Sequence, residues 1–197
     1  MYNKERYLMA HSKSRTKGSN YELKLAKALS AWWGYSFHRT PNSGAWSSTH
    51  EGTDSQAGDI TTPPEAMFPF VVEAKNHEGW TMESYFLTHA DPISWWSQVV
   101  ADAERVKKVP MLISHRNRSK SFVSLPYSKE VEEIASDAKI PWGVTELAYK
   151  HKVTDDDQLF RIITLELDTM IATFDPEHFK GSHKTIFEDW YKHLDSL

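Results

Sequence analysis

Residues 68–75, FPFVVEAK, form an apolar run that ends in two charges two positions apart, and no other stretch constrains the fold as strongly. Side chains alternate faces along a strand, so Val71, Glu73 and Lys75 share one face while Phe70, Val72 and Ala74 share the other. Such an ending has two readings. It is an edge strand whose last residues touch water, or it is rigid scaffold that presents a carboxylate and an ammonium to a site.

The neighbouring segments define the frame around this strand. Residues 19–33, SNYELKLAKALSAWW, place Tyr21, Leu25, Ala28, Leu29 and Trp32 at helical spacing, and Gly34 supplies a stop. YSFHRT reads as a short strand closed by the turn Pro41-Asn-Ser-Gly44, residues 45–57 as a polar loop, and GDITT as a second short strand. From Pro92 to Lys108 the period is helical again, with Ile93, Trp96, Val99, Val100, Ala103 and Val106 on one side. VPMLIS and SFVSL read as strands joined by the basic turn HRNRSK at 115–120. SKEVEEIASDAK then reads as a surface helix, LFRIITLEL as a strand leading into a short helix near 168–173, and KTIFEDWYKHL as a C-terminal helix. Strands interleaved with helices predict a single α/β domain over residues 1–197, with a mixed central sheet flanked by helices. Its core spans about 15–125, and a C-terminal α/β extension about 126–197.

Composition narrows the function. With 197 residues and 25% charged residues, the chain is expected to be globular and cytoplasmic; it has no apolar run long enough for a bilayer and no secretory h-region. The absence of cysteine excludes disulfides and thiolate metal sites. The net charge of −4 is unevenly spread: residues 1–40 hold eight basic and two acidic residues, a net of +6. A basic arm on an acidic body suits a polyanion gripped at one end.

Asp59 follows Gly58 on the second strand, while Glu73 and Lys75 lie on the third. If these strands form a hairpin, Asp59 falls opposite Glu73. Paired carboxylates make an oxygen-rich site that suits Mg²⁺, with Mn²⁺ as a substitute. A lysine two residues on can orient an attacking water or stabilise charge developing on a phosphate.

In order along the chain, KGSNYELKLAKAL, FHRTPNSGA, GDI, VVEAK and the segment from SWWSQ to MLIS resemble the PD-(D/E)XK nuclease superfamily, and within it the archaeal and phage Holliday junction resolvases. The resemblance covers about residues 15–125 and implies a restriction-endonuclease-like αβββαβ core. It further implies metal ligation by Asp59, Glu73 and the Ala74 carbonyl, with Lys75 as the catalytic lysine. Glu22 would be an acidic helper, Ser43 a polar residue near the scissile phosphate and Gln98 a helper. The expected protein is a phage-encoded homodimer that nicks DNA four-way junctions in recombination and repair. The alternatives are a PD-(D/E)XK nuclease on another DNA substrate, restriction-like or recombinational, and a catalytically silent DNA-binding module of the same fold. Gly58 stands where the motif usually has proline, and residues after about 126 match nothing in the pattern.

Ordinary readings exist for several of these residues. Ser19-x-x-Glu22 has capping-box spacing, Ser43-Gly44 is a turn signal, and Gln98 can be a polar residue on a half-buried helix. Lys13, Arg15, Lys17 and Arg39, with Arg116, Arg118 and Lys120 of the basic turn, are the expected contacts to the DNA backbone. Of eight tryptophans, Trp46 and Trp80 adjoin the motif loops and are the candidates for base stacking.

Overall fold

A computed structural model describes residues 2–41, 57–87 and 91–197, with side chains from residue 16 onward. The first helix, α1 (Tyr2–Trp33), precedes two short strands, β1 (His38–Arg39) and β2 (Ile60–Thr61). Next come β3 (Phe70–Asn76), α2 (Asp91–Val106), β4 (Val109–His115) and β5 (Phe122–Pro126). The chain then continues through α3 (Lys129–Asp137), β6 (Trp142–Lys150), β7 (Asp157–Glu166), α4 (Leu167–Thr173), α5 (His183–Ile186) and α6 (Glu188–Asp195). The order of elements up to β5 is the one the hydrophobic pattern predicts.

Five strands form one mixed sheet in the order β3-β4-β5-β7-β6. Only β3 and β4 are parallel, with Glu73 beside Leu112 and Lys75 beside Ser114. A parallel pair needs a crossover, and α2 supplies it. Its predicted apolar side is the buried one: Trp96, Val99, Val100 and Ala103 are fully inaccessible, and burial of a large side chain of this kind contributes about 1.5–3 kcal/mol. Ser114 and the next residue, His115, face opposite sides. Ser114 meets Tyr85 of a 3₁₀ turn (Met82–Phe86) on the α2 side, and His115 stacks on Tyr21 of α1 at 4.8 Å. The sheet is thus covered on both faces, which explains why β3 is buried at five consecutive positions rather than alternately.

The chain after 126 builds into this sheet. β7 pairs antiparallel with β5 from Phe122–Glu166 to Pro126–Ile162, and β6 closes the far edge along β7. Phe174, Phe179 and Phe187 pack as a stack that Phe70 and Trp32 meet edge-on. The indole N–H of Trp32 donates to the Phe174 carbonyl at 2.8 Å, and that of Trp190 to the Lys108 carbonyl at 3.0 Å. The C-terminal segment thereby ties α1 and the start of β3 to the rest of the core.

Two expectations about the helices change. The first helix does not begin at Ser19 but runs from Tyr2, so Ser19 is interior and cannot act as an N-cap. The C-terminal helix is broken at Phe187, which is fully buried and divides α5 from α6. Among the described residues, no helix is long and apolar enough to cross a membrane.

Candidate active site

The site lies on the open edge of β3. Gly58 adopts φ +77°, a left-handed conformation that turns the chain so that Asp59 runs beside β3. The Asp59 amide donates to the Val72 carbonyl at 2.7 Å, and its carboxylate Oδ2 accepts the Ala74 amide at 2.8 Å. This is not the hairpin ladder expected from the sequence, since β2 pairs with β1 instead. Two hydrogen bonds nevertheless lock Asp59 against the strand. Within a strand residue the N–H and C=O point the same way, so the Ala74 carbonyl also faces this edge.

Glu73 is 3% exposed, and two contacts hold it, closed into a triangle by a third between its partners. Lys75 forms an ion pair with its Oε1, Gln98 Nε2 donates to the same oxygen at 2.8 Å, and Lys75 Nζ donates to Gln98 Oε1 at 3.2 Å. One amide on α2 therefore sets the rotamers of both charged residues on β3, while the Lys75 side chain keeps 24% exposure toward solvent. That triangle answers the question raised by the charged strand ending: α2 covers the carboxylate, and the ammonium reaches out of the sheet.

Burial, followed by the neighbouring Asp59 charge, pushes the Glu73 carboxyl up to about 8, against the pull of Lys75. The unfolded chain releases this proton near 4.5 and the folded chain near 8, so between these values the unfolded state binds fewer protons. Stability of the metal-free protein accordingly falls as pH rises through that window and levels off above it. In chelator, the melting temperature of wild type should drop relative to Glu73→Gln between pH 5 and pH 8, a range bracketed by those two values. Parallel melting profiles would show that Glu73 titrates normally.

The remaining candidates spread around this centre. Glu22 pairs with Arg39, and Arg39 sits opposite Ile60, next to Asp59. The Thr40 amide donates to the Asp59 carbonyl at 2.9 Å, so Glu22 is linked to the strand that carries Asp59. Arg39, expected at the DNA backbone, spends its guanidinium on Glu22. Lys17 pairs with Glu78, and Lys120 lies 3.7 Å from both Glu166 and Asp168. Arg118 is exposed at φ +59° in the β4–β5 turn, beside half-buried Arg116. Ser43 and Trp46 lie outside the described residues, as do the side chains of Lys13 and Arg15. Trp80 is no stacking platform: it is 2% exposed, with Tyr85, Trp95 and Phe122 against its ring. The partners of Gln98, and the part played by His115, could not be found by motif reading, because neither has a diagnostic spacing.

The donor set fits a hard divalent cation. It is all oxygen, from Asp59, Glu73 and the Ala74 carbonyl, and burial together with the nearby Asp59 charge raises the Glu73 carboxyl. Among the described residues no group of three or more His, Cys, Asp or Glu converges, so a cation here would rest on two carboxylates, the carbonyl, and water or phosphate oxygens.

A mixed sheet flanked by helices, with an aspartate and a Glu-x-Lys strand at its edge, is the arrangement of the PD-(D/E)XK nuclease class. A family model described as "Phage putative PDDEXK endonuclease" matches residues 13–181, and the chain belongs to that family. It is an endonuclease of the PD-(D/E)XK type, and the match runs past β5 through β7 and α4. Neither the curated proteins nor the solved structures compared give a match.

Proposed function

We propose that this endonuclease is Mg²⁺-dependent and structure-selective, making paired nicks in four-way DNA junctions as a homodimer. The observation that carries the chemistry is the meeting of Asp59, Glu73 and Lys75 at the open β3 edge, with Gln98 bridging Glu73 and Lys75. Asp59, Glu73 and the Ala74 carbonyl would hold the cation. Such a cation supplies Lewis-acid polarisation of the scissile phosphate and offsets the negative charge gathering on it.

Of Asp59, Glu73 and Lys75, Lys75 is the least buried. Its ammonium, aimed by Glu73 and Gln98, orients the attacking water and stabilises the charge that develops as the phosphorus–oxygen bond breaks. In-line attack of this kind leaves a 5′-phosphate when the 3′-oxygen departs. Gln98 works through the other two as a positioning residue. Symmetric cutting of two strands requires two such sites, which two copies of the chain provide. The junction substrate rests on the resemblance of the ordered motifs to the resolvases.

The test is a cleavage assay on a labelled four-way junction and a matched linear duplex, with Mg²⁺, with Mn²⁺ and with chelator. Paired nicks on the junction, absent in chelator and negligible on the duplex, are expected. Equal cutting of both substrates would retain the nuclease and remove the junction preference. Junction binding without cleavage in either metal would point to a silent binding module.

A further inference from the structure

Past Lys75, the C-terminal ends of β3 and β4 meet α1, and an anion already sits there. Glu78, two residues beyond the end of β3, forms an ion pair with Lys17 of α1, and its Oε1 also accepts the backbone amide of Asn117 at 3.2 Å. Asn117 lies in the basic turn after β4. Burial, with Lys24 and Lys17, lowers the His115 imidazole, and the Glu78 charge opposes that shift, which puts Glu78 near the ring. His115 itself is fixed in place: Tyr21 stacks on it at 4.8 Å, Ser121 Oγ lies 3.3 Å from its Nδ1, and Tyr21 Oη–H donates to Ser121 at 2.9 Å.

An ammonium, a backbone N–H and an imidazole backed by a second lysine are the donors that recognise a phosphate. A lone glutamate among them is an oxyanion where a phosphate oxygen would go. It is poorly anchored there: the Glu78 side chain is 54% exposed and Lys17 33% exposed, so water competes for both partners. His115 pairs with Asn76, the residue after Lys75, and adjacent strands lie about 4.8 Å apart. This position therefore lies just past the C-terminal end of the strand that carries Lys75, on the α1 side of the sheet, where DNA backbone flanking the scissile phosphate can reach it.

We propose that Lys17, the Asn117 amide and His115 form a seat for a DNA backbone phosphate beside the cleavage site, and that the Glu78 carboxylate is a placeholder which the phosphate displaces. The proposal rests on the DNA-cleaving reading and adds a binding subsite with a built-in competitor. Removing Glu78 should then strengthen DNA binding, because Lys17 and the amide are released before the DNA arrives.

The experiment measures binding of a fluorescent four-way junction by the full chain in chelator, from roughly 50 to 300 mM salt, for wild type, Glu78→Gln, Glu83→Gln, Lys17→Gln and the Lys17→Gln/Glu78→Gln double variant. Glu83 is exposed on the same connection and controls for loss of one negative charge. Glu78→Gln should tighten binding about fivefold at 100 mM salt and steepen the plot of log affinity against log salt by about 0.9, one additional phosphate contact. Glu83→Gln should change affinity less than about twofold, as expected for a screened distant charge. The double variant should bind like Lys17→Gln, since without the lysine there is nothing for Glu78 to mask. Equal gains for the two glutamate variants, or a gain that survives without Lys17, would overturn the seat. Failure of wild type to bind the junction would do the same. Intact binding without cleavage in Mg²⁺ would instead count against the metal site and leave the seat standing.

Discussion

Glu73→Ala removes DNA cleavage, lowering the single-turnover rate by about 10³-fold or more, while the chain stays folded. A 10³-fold loss corresponds to about 4 kcal/mol of transition-state stabilisation, the scale of losing a preorganised electrostatic group in a low-dielectric site. The two halves of this expectation come from the same environment. Burial and Asp59 disfavour the Glu73 charge more than Lys75 favours it, so removing the carboxylate relieves the metal-free fold. A buried ion pair that is broken on one side ordinarily costs several kcal/mol. Here the partner left behind, Lys75, keeps Gln98 Oε1 at 3.2 Å and its access to solvent, so that cost is escaped. Lys75→Met should lose cleavage to a similar degree but behave oppositely in stability, because it leaves Glu73 buried beside Asp59 with no cation. Rapid-quench cleavage in Mg²⁺ together with thermal melts in chelator checks both. Glu73→Ala protein retaining a tenth of the wild-type rate would be incompatible with this site.

Gly58→Ala is expected to destabilise the protein by about 3–4 kcal/mol, lowering the melting temperature by roughly 10 °C in a chain of this size. Two costs add. A left-handed backbone costs an L-residue about 1–2 kcal/mol, and Gly58 sits at φ +77°. A Cβ there would also stand 2.4 Å from the Val72 carbonyl oxygen and 3.0 Å from Val71 Cγ1, and a backbone oxygen in a paired strand cannot move aside. That same oxygen accepts the Asp59 amide, so relieving the clash pulls Asp59 away from β3 and cleavage should fall as well. Gly181 provides the internal comparison. Its φ is +78°, but a Cβ would meet nothing within 4 Å, so Gly181→Ala should cost only the backbone term. Melts of the two variants side by side separate strain from collision. Equal losses would mean that the approach of Gly58 to Val72 is not what holds the site.

The part of this protein written locally in its chain is the part that depends on one strong periodicity or one short motif. The α2 stripe from Ile93 to Val106, the apolar runs of β3 and β4, and the order of Gly-Asp and Glu-x-Lys are such features, and they led to the sheet, the nuclease class and the β3 candidates. β6 had no comparable signal: WGVTELAYK mixes exposed and buried positions and carries a glycine, and it is a strand because β7 pairs with all nine of its residues. The reach of α1 back to Tyr2 is likewise not marked by any apolar stripe. Spacing suggested that Glu22 caps a helix, but the length of α1 left Ser19 without a cap to make and Arg39 on β1 took the carboxylate. Trp80 adjoins a motif loop and reads as a stacking candidate, yet the rings of nearby Tyr85 and of Trp95 and Phe122 from other elements pack against it. What the sequence determined was which residues can carry charge and chemistry. What the tertiary structure decided was which of them meet: Gln98 with Glu73 and Lys75, Asp59 with the Ala74 amide, Glu78 with Lys17. The reason is physical. Periodicity reports how a residue faces its own element, whereas hydrogen bonds and ion pairs act over about 3 Å, a distance set by packing between elements far apart in the chain.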